Sequence, residues 1–428
     1  MEKLFNLFYQ CNGVSTDTRT ITENVLYIAL KGANFNGNKF AVEAIQKGAK
    51  YAIVDEEEFA NNETIYHVPD SLVFLQQLAL HHRTQFDIPI IGITGSNGKT
   101  TSKELIANVL TQEFQVLFTQ GNLNNHIGVP LTLLQLNNSH DIAIIEMGAN
   151  KPGDIHELAS IADPTHGIIT NIGLAHIEGF GSPEGVRKTK KELYDYIEKN
   201  EGILFYNLDD TVLSTIVPKV ETYTYGTTKA ASICGKLEKL TPEVQLIWST
   251  KDYHSPLLAT QIIGEYNFYN MLAAISIGVY FGMPKESINK GIIEYLPTNN
   301  RSQVIHTENN TVILDAYNAN PTSVKAALES FFKITHDNKL VILGDMLELG
   351  DISSAAHKEI IELVKKHKIE AIFVGKNYLE QKDQYSNYMF FETTEDAKSF
   401  LSLAHPSKNM VLLKGSRSIG LEKLAELF

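Results

Sequence analysis

The sequence has few cysteines, no long apolar run and no excess of positive charge, and each shortage excludes a class of protein. Two cysteines, Cys11 and Cys234, give neither a disulfide framework nor a metal-binding spacing, which fits a reducing compartment. The longest nearly apolar stretch, Met271–Met283, falls short of the roughly 20 residues that span a bilayer, so we expect a buried helix and no membrane insertion. The N-terminal residues lack the apolar core and cleavage site of a signal peptide. We therefore expect a cytoplasmic protein.

The net charge of −13 argues against a general nucleic-acid binder, which would carry a basic patch. This charge does not exclude nucleotides, because screening limits the interactions of exposed charges to about 8 Å at physiological salt. A polyphosphate therefore responds to local lysines, helix N-termini and metal ions rather than to the total charge. At 428 residues, with 43% hydrophobic and 20% charged residues, the chain is predicted to form two to four ordinary globular domains.

One stretch that the sequence does contain, Ile88 to Thr101, is typical of a phosphate-binding loop. Its apolar, β-branched first half predicts a buried strand, and helical periodicity begins at Lys99. Gly95 and Gly98 allow successive N–H groups to point into one concavity at the helix N-terminus, where an anion is favoured. Lys99 adds positive charge, and the hydroxyl of Thr100 suits a phosphate-bound Mg²⁺ ion. The pattern predicts a nucleotide site, and a glycine turn that only caps a helix is the alternative.

Three regions follow from the order of the predicted elements. Residues 1–85 form a small α/β unit whose polar turns, at residues 15–19 and 32–39, are candidate ligand sites. Residues 86–300 alternate strands and helices as in an open parallel sheet that is covered on both faces. Residues 301–428 repeat this alternation, without the Gly-x-Gly-x-x-Gly turn of a dinucleotide site. We predict an α/β fold of three domains: a small N-terminal domain, a central P-loop ATPase-type sheet and a C-terminal Rossmann-like domain.

Polar residues follow several predicted strands, and the carboxyl ends of parallel strands line the ligand crevice of such sheets. Glu146 ends one strand, where a carboxylate can hold Mg²⁺ directly or through water; a helix cap or a salt bridge is the alternative. His176 follows another strand and is either a ligand or a structural histidine. Four cations on the predicted helix Val186–Leu193 are typical of a solvated face, and spacing alone does not select Lys190 among them.

These segments together resemble the ATP-dependent Mur ligases of bacterial peptidoglycan synthesis. The phosphate loop is common to that family, whereas three other segments, Glu146–Asn150, Tyr317–Pro321 and Leu343–Gly350, are typical of the branch that adds a dipeptide. The resemblance covers nearly the whole chain. It is carried by Thr94–Thr101, Asn122–Pro130, Glu146–Asn150, Asn171–Gly181, Tyr317–Pro321, Leu343–Gly350 and Lys414–Arg417.

The resemblance implies an N-terminal domain that holds a UDP-sugar, a central ATPase, and a C-terminal domain that closes over ATP and admits the incoming amine. The implied substrates are ATP, UDP-N-acetylmuramoyl-tripeptide and D-alanyl-D-alanine. The substrate carboxylate would attack the γ-phosphate of ATP to give an acyl phosphate, and the amine would then displace phosphate. This route requires charge neutralisation and positioning rather than a protein nucleophile, and no convincing Ser-His-Asp or Cys-His set is present. We expect a monomer with no nucleic-acid partner.

Positions that match the family's motifs imply a nucleotide site with two Mg²⁺ ions. Thr100 and Glu146 would bind one ion, and His176 would help to bind the second. Lys190 falls at the position of a carbamylated lysine, whose carbamate would be an anionic metal ligand. Lys99, His176 and Lys190 are the implied catalytic residues. The implied ATP contacts are Gly95, Ser96, Asn97, Gly98, Lys99, Thr100, Thr101, Asn267, Asn270, Arg301 and Asp315.

The implied contacts to the UDP-sugar peptide and the dipeptide are polar residues of three loops. They are Ser15, Thr16, Asp17, Arg19, Asn122, Asn124, Asn125, Asn318 and Asn320. Several positions depart from common patterns: Ile93 replaces the first glycine of the longer phosphate loop, and Lys191 replaces a frequent glycine. Leu314 stands in place of a second aspartate and Tyr266 in place of a frequent histidine, and both departures affect the predicted ATP contacts.

Two other classes of protein remain open on the sequence alone. Another Mur-type ligase or a folylpolyglutamate synthase would share the ATP machinery but differ in its N-terminal domain and acceptor. A non-enzymatic nucleotide switch would also use a phosphate loop, but it would hydrolyse or exchange nucleotide without consuming an amine. Substrate-dependent release of ADP distinguishes these classes.

Overall fold

The computed structural model describes residues 2–240, 242–297, 301–404 and 406–428. The N-terminal region contains a parallel sheet in the order β1-β2-β5-β6, and its inward-facing aliphatic side chains form one core with α2. Asp70 caps the N-terminus of α3 by accepting the N–H groups of Leu72 and Val73. The elements are α1 (Glu2–Phe8), β1 (Val14–Ser15), β2 (Leu26–Ile28), β3 (Lys31–Gly32), β4 (Phe35–Asn36), α2 (Ala41–Gln46), β5 (Tyr51–Val54), β6 (Ile65–His67) and α3 (Ser71–Arg83).

The central region contains a larger sheet, in the order β15-β14-β13-β12-β11-β10-β7-β9-β8 among the described residues. Helices connect most of its parallel strands, as the alternating pattern predicted. The elements are β7 (Ile90–Thr94), α4 (Lys99–Leu110), β8 (Val116–Phe118), α5 (Gly128–Leu133), β9 (Ile142–Glu146), α6 (Asp154–Ala162), β10 (His166–Ile169), α7 (Ile177–Phe180), α8 (Pro183–Lys199), β11 (Ile203–Asn207), α9 (Thr211–Ile216), β12 (Glu221–Gly226), β13 (Ile233–Leu240), β14 (Glu243–Ser249), β15 (Leu258–Ile263), α10 (Tyr266–Tyr280) and α11 (Lys285–Ile293).

The strands of the central sheet pair in parallel in one part of the sheet and antiparallel in another. Every residue of β7 and β9 is buried, as expected for parallel strands covered on both faces. The strands β13, β14 and β15 are instead antiparallel, and buried residues alternate with more exposed ones along β14. The prediction of an open parallel sheet therefore holds for most of the region but missed this antiparallel extension. The predicted buried helix around Met271–Met283 is confirmed, because α10 is buried along most of its length.

The C-terminal region contains a sheet in the order β16-β17-β21-β18-β19-β20, with β16 antiparallel and the other strands parallel. Two apolar cores cover its two faces, and Leu314, which stands in place of the family's aspartate, belongs to one of them. The elements are β16 (Gln303–His306), β17 (Thr311–Asp315), α12 (Pro321–Lys333), β18 (Lys339–Gly344), α13 (Ser353–Lys366), β19 (Glu370–Val374), α14 (Lys376–Leu379), β20 (Met389–Phe391), α15 (Thr394–Ala404) and β21 (Met410–Lys414).

The chain forms two compact units, each assembled from separate stretches. The first unit comprises Met1–Ile93, Phe114–Ala149 and Gly153–Gly167. The second comprises Thr94–Glu113, Asn150–Pro152 and Ile168–Phe428. No helix in the described part of the chain is long and apolar enough to cross a membrane. The structure is an α/β fold with a mostly parallel central sheet, as the sequence predicted.

Candidate active site

The predicted phosphate loop lies between β7 and α4, and its two glycines have backbone conformations that favour glycine. Gly95 has a φ of +146°, and an added Cβ would lie 2.0 Å from Oγ1 of Thr170. Gly98 has a φ of +78° and is the residue that precedes α4. No side chain at this capping position accepts the N–H groups of the first helical turn. This geometry suits an anion at the helix N-terminus.

The segment that follows β10 holds the phosphate loop in place. The N–H of Ser96 donates to the carbonyl of Asn171 at 2.9 Å, and the N–H of Asn97 donates to the side-chain oxygen of Asn171 at 3.1 Å. The hydroxyl of Thr170 donates to the carbonyl of Asn97 at 2.6 Å. The Ser96 hydroxyl donates to the carbonyl of Gly173 and accepts its N–H. Hydrogen bonds within the protein therefore fix the conformation of the loop.

The ammonium of Lys99 lies over this loop. Its Nζ donates to the carbonyl of Gly95 at 2.7 Å and to the carbonyl of Ser96 at 3.4 Å. Thr100 and Thr101 follow in the first turn of α4, and both are buried. The structure therefore brings together the loop residues that the sequence predicted.

His176 lies near the same lysine and contacts a residue of the C-terminal region. Its Nδ1 pairs with a carboxylate oxygen of Glu348, and the N–H of Glu178 donates to the carbonyl of Glu348 at 3.4 Å. Burial lowers the pKa of His176; Glu348 opposes this shift, while the charges of Lys99 and Lys190 lower the pKa further. His176, Lys99 and Lys190 are therefore within electrostatic reach of one another, and Glu348 orients the imidazole.

Lys190 differs from the other cations of α8. Its side chain is buried, and its Nζ lies 5.5 Å from the centre of the Phe180 ring. Arg187 pairs with Glu184, Lys191 pairs with Asp195, and Lys188 is exposed. The expected solvated face is thus correct for three of the four cations and wrong for Lys190, which is the residue that the family position indicated.

The start of α10 contributes two buried asparagines beside the phosphate loop. Nδ2 of Asn270 donates to Oδ1 of Asn267 at 2.8 Å, and the hydroxyl of Ser102 donates to Oδ1 of Asn270 at 3.1 Å. An added Cβ on Gly98 would lie only 2.9 Å from Oδ1 of Asn270. Tyr266, which precedes them in place of a histidine, lies 2.8 Å from the hydroxyl of Ser302. Burial raises the pKa of Tyr266.

Residues of the C-terminal region also contact the phosphate loop and the segment that follows β10. Nδ2 of Asn320 donates to Oδ1 of Asn97 at 2.7 Å, and the N–H of Leu174 donates to Oγ1 of Thr322 at 3.1 Å. Asn320 is also the cap of α12, where its Oδ1 accepts the N–H of Ser323. One side chain therefore fixes a helix and contacts the phosphate loop.

The other predicted residues of this region, Arg301, Asp315 and Asn318, contact residues near the ends of β17 and β21 that were not predicted. Nζ of Lys414 donates to Oδ2 of Asp315 at 2.7 Å and to the carbonyl of Asn318 at 3.2 Å. Oδ1 of Asn318 accepts the N–H of Ala319. The guanidinium of Arg301 lies 3.8 Å from the centre of the Tyr317 ring.

In the first unit, Glu146 ends β9 and is almost fully buried. Nδ2 of Asn124 donates to its Oε1 at 2.8 Å, and Glu146 pairs in the sheet with Ile93, two residues before Gly95 in the chain. Asn122 is exposed. Oδ1 of Asn125 accepts the N–H groups of Ile127 and Gly128, so that this side chain fixes the start of α5.

The N-terminal turn brings its four predicted residues together. Arg19 donates from Nε to Oδ1 of Asp17 at 3.0 Å and from Nη2 to Oδ2 at 2.6 Å. This hydrogen bonding holds the pKa of Asp17 at about 2. The hydroxyl of Ser15 donates to the carbonyl of Asp17, and Thr16 lies between them in the turn. The guanidinium of Arg19 is exposed, as a ligand contact requires.

Comparison with known proteins identifies the family. Three family models match in order along the chain: the Mur ligase family catalytic domain at residues 10–83, the Mur ligase middle domain at residues 93–278, and the Mur ligase glutamate ligase domain at residues 300–417. The UDP-N-acetylmuramoyl-tripeptide–D-alanyl-D-alanine ligase of Bacillus subtilis is 34% identical over 97% of this chain and 92% of its own length. This chain belongs to the Mur ligase family.

Solved structures of Mur ligases have the same fold. Crystal structure I of MurF from Acinetobacter baumannii superimposes with a TM-score of 0.89, at 28% identity, over 100% of this chain and 98% of that chain. The MurF ligase of Thermotoga maritima in complex with ADP gives a TM-score of 0.87, at 25% identity, over 100% of this chain and 98% of that chain. The three-domain Mur ligase fold predicted from the sequence is confirmed.

The residues at this site that were absent from the predicted set include Asn171, Thr322, Glu348 and Arg417. Three of them lie inside segments that carried the resemblance, and Thr322 directly follows another. Their contacts join residues far apart in the chain, such as Glu348 with His176. A local pattern can mark such a segment, but only the fold shows which of its side chains meets a distant partner.

Proposed function

We propose that this Mur ligase joins D-alanyl-D-alanine to UDP-N-acetylmuramoyl-tripeptide, with cleavage of ATP to ADP and phosphate, in the synthesis of peptidoglycan precursors. The observation that carries this proposal is similarity along nearly the whole chain to the Bacillus subtilis ligase of that name. The ADP complex of the Thermotoga maritima ligase supports ATP as the energy source. The backbone conformations of Gly95 and Gly98 and the hydrogen bonds that fix their loop support a phosphate site there, which this reaction needs.

We assign the three regions to the three ligands of the reaction. Residues 1–85 would hold the UDP-sugar, residues 86–300 would bind ATP, and the Rossmann-like residues 301–428 would close over ATP and admit the dipeptide. Each region has a sheet of its own, which supports this assignment. The exposed arginine of the Ser15–Arg19 turn is available to an anionic sugar nucleotide.

The chemistry proceeds by two displacements, the first at the γ-phosphorus of ATP and the second at the acyl carbon of the UDP-sugar peptide substrate. Its carboxylate attacks the γ-phosphorus of ATP, and ADP leaves with the electron pair of the broken bond. The amine of D-alanyl-D-alanine then attacks the acyl carbon, and phosphate leaves after the amine has lost a proton. The contribution of the protein is to position the reactants and to neutralise charge. Lys99 and the N–H groups at the start of α4 are the groups that provide it.

The chain's donors suit Mg²⁺ that is bound jointly with phosphate. In the described part of the chain, no three His, Cys, Asp or Glu side chains are grouped to hold a metal ion by themselves. Mg²⁺ is usually held by one or two carboxylates together with phosphate oxygens and water, so this donor set fits. Thr100 and Glu146 would hold one ion, and His176 and Lys190 would hold a second. When bound, Mg²⁺ would neutralise charge on the transferred phosphoryl group.

Lys190 fits this role only after modification, because an ammonium cannot bind a cation. A neutral lysine amine that adds CO₂ and loses a proton becomes a carbamate, which is an anionic oxygen ligand. The burial of Lys190 and its proximity to His176 support this assignment. We therefore propose a carbamylated Lys190.

The remaining predicted residues are assigned to substrates. Asn267 and Asn270 would contact the nucleotide from the start of α10, and Asn270 lies beside Gly98. Arg301 and Asp315 would contact the ATP ribose and phosphates. The peptide substrates would be met by Ser15, Thr16, Asp17, Arg19, Asn122, Asn124, Asn125, Asn318 and Asn320. We also propose that the enzyme is a cytoplasmic monomer.

The test measures release of ADP and phosphate by the purified protein with ATP, Mg²⁺ and UDP-N-acetylmuramoyl-tripeptide. We expect release only when D-alanyl-D-alanine is also present, together with formation of the ligated peptide. Release with a single amino acid in place of the dipeptide would indicate another Mur-type ligase or a folylpolyglutamate synthase. Release without any amine would indicate a nucleotide switch.

A further inference from the structure

Two arginines lie against the ring of Tyr317, and the family assignment gives a role to only one of them. The guanidinium of Arg301 lies 3.8 Å from the ring centre, and that of Arg417 lies 5.2 Å from it. Nη1 of Arg417 also lies 3.4 Å from the hydroxyl oxygen of Tyr317, to which it donates. The ring therefore holds two positive charges close together by cation–π contacts.

These two charges have no acidic partner in the described part of the chain. Neither Arg301 nor Arg417 forms an ion pair with a carboxylate there, and Nε of Arg301 is buried without a hydrogen-bond partner. Lys414, another cation at these strand ends, pairs with Asp315. Neighbouring like charges repel each other, so this arrangement favours an anion.

The positions of Tyr317 and Arg417 in the fold indicate a substrate site. β17 and β21 are neighbouring parallel strands, with Asp315 opposite Lys414 in the register. Tyr317 follows β17 by two residues and Arg417 follows β21 by three, so both lie at the carboxyl ends of the strands. Ligands of open α/β sheets bind at this edge. Arg417 is also exposed, so its guanidinium is accessible.

We propose that Arg417 binds the carboxylate of the incoming dipeptide, with the Tyr317 ring holding its guanidinium in place. This inference rests on the proposed function, because it assigns the amine substrate of that reaction. The phosphates of ATP have Lys99 and the start of α4, whereas the terminal carboxylate of the dipeptide still needs a cation. A guanidinium can form two parallel hydrogen bonds with a carboxylate, which positions the amine as well as binding it.

The test removes the charge from each partner in turn. The enzyme is assayed by amine-dependent ADP release with D-alanyl-D-alanine and with its C-terminal amide, in which a neutral carboxamide replaces the carboxylate. We expect kcat/KM of the unmodified enzyme to be at least about tenfold lower for the amide, since a charge-assisted hydrogen bond is lost. In Arg417→Ala, kcat/KM for the acid should decrease by at least about tenfold, whereas kcat/KM for the amide should decrease far less. The preference for the acid should therefore nearly disappear.

Matched variants separate this role from a loss of charge or of structure. Lys423→Ala removes an exposed cation of the same region that pairs with Glu395, and it should keep the full preference for the acid. Arg417→Lys keeps the charge without the planar fork and should retain part of the preference. Should Arg417→Ala fail to fold, judged by circular dichroism, Arg417→Lys and Tyr317→Leu carry the test by the same ratio.

Two results would overturn the proposal. The first is an unchanged preference for the acid in Arg417→Ala and Arg417→Lys, or no preference in the unmodified enzyme. The second is a raised KM for ATP with an unchanged KM for the dipeptide, which would assign Arg417 to the nucleotide phosphates. Failure of the proposed function is recognised separately, because the unmodified enzyme would then release no ADP in response to either amine.

Discussion

At the scale of single residues, Lys99 provides the direct test of the phosphate loop. Its ammonium lies over the loop carbonyls of Gly95 and Ser96, where it can neutralise charge on the transferred phosphoryl group. We expect Lys99→Ala to lower kcat by at least ~100-fold, comparable to the loss of one donor to a transition state. Lys251→Ala, which removes an exposed lysine, is the control. Near-normal turnover of Lys99→Ala would contradict the phosphate assignment.

The carbamate proposed for Lys190 predicts a dependence on dissolved CO₂. Depleting bicarbonate should lower the activity of the unmodified enzyme, and returning it should restore activity. Carbon-13 NMR with labelled bicarbonate should show a carbamate signal that Lys190→Ala lacks. Lys188→Ala, on the exposed face of α8, should keep both the signal and the activity. Activity that is insensitive to bicarbonate depletion and to Lys190→Ala would exclude the modification.

The burial of His166 predicts that the protein loses stability in mild acid. Burial lowers the pKa of His166 from 6.5 to about 4, so the unfolded chain binds a proton that the folded protein does not. The contribution of His166 to the free energy of unfolding is therefore fully present above the pKa of the unfolded chain. This contribution is lost as the pH decreases from about 6.5 towards 4. At about pH 5 the loss from this residue is about 2 kcal/mol.

The measurement compares thermal midpoints of the unmodified protein and His166→Gln at about pH 7.5 and about pH 5. The variant should show a smaller decrease between the two conditions, whatever its stability at the higher pH. His254→Gln, which changes an exposed histidine, should decrease as much as the unmodified protein. Equal decreases in all three proteins would show that His166 does not contribute.

At the scale of elements, much of the fold could be predicted because each strand or helix carries its own pattern. The apolar run before the phosphate loop gave β7, and the helical period after it gave α4. The strands β13–β15 were missed because buried residues alternate with more exposed ones along β14, and because β13 mixes charged with apolar residues. Such strands are stabilised by their neighbours in the sheet, which a local pattern does not show.

The site could be predicted only in part for a related reason. The loop itself is a continuous segment, whereas Glu348 meets His176 and Arg417 meets Tyr317 only after the chain has folded. A polar residue in a loop also has two uses that look alike in a sequence. Asn125, predicted to contact substrate, accepts the N–H groups that begin α5.

Asn320 combines two uses that substitutions can separate. Its Oδ1 caps α12, and its Nδ2 donates to Asn97 of the phosphate loop. Asn320→Ala should cost about 1 kcal/mol of stability through loss of the cap. Asn320→Asp keeps a capping oxygen but removes the donor, so we expect near-normal stability with reduced turnover.

Thermal midpoints and steady-state kinetics measured together distinguish these effects. A role in the loop contact predicts that Asn320→Asp changes kcat or the KM for ATP. A change confined to the KM for the dipeptide would instead indicate direct substrate contact. Unchanged kinetics in Asn320→Asp would mean that the contact with Asn97 has no influence on the reaction.

At the scale of the whole molecule, each compact unit combines stretches that are distant in sequence. The phosphate loop, His176, Lys190 and the C-terminal region belong to the second unit. Glu146 and the Ser15–Arg19 turn belong to the first. The chain passes between the units several times. The units therefore cannot be predicted by dividing the sequence into consecutive segments.

The single tryptophan allows the second unit to be monitored by itself. Trp248 is buried in β14 of that unit, and its indole N–H donates to Oδ1 of Asn289 at 2.8 Å. Its fluorescence should therefore report unfolding of the unit that carries the phosphate loop. A ligand that binds only the folded state at 100 times its Kd adds about 2.7 kcal/mol of stability.

We therefore expect ADP with Mg²⁺ to raise the thermal midpoint measured by Trp248 fluorescence, and to raise it further as the nucleotide concentration increases. Lys99→Ala should need a higher ADP concentration for the same shift, because a phosphate-binding cation is lost. Lys251→Ala should respond as the unmodified protein does. An equal shift in Lys99→Ala and in the unmodified protein would mean that ADP is held without this lysine, and a constant midpoint would place the nucleotide outside the second unit.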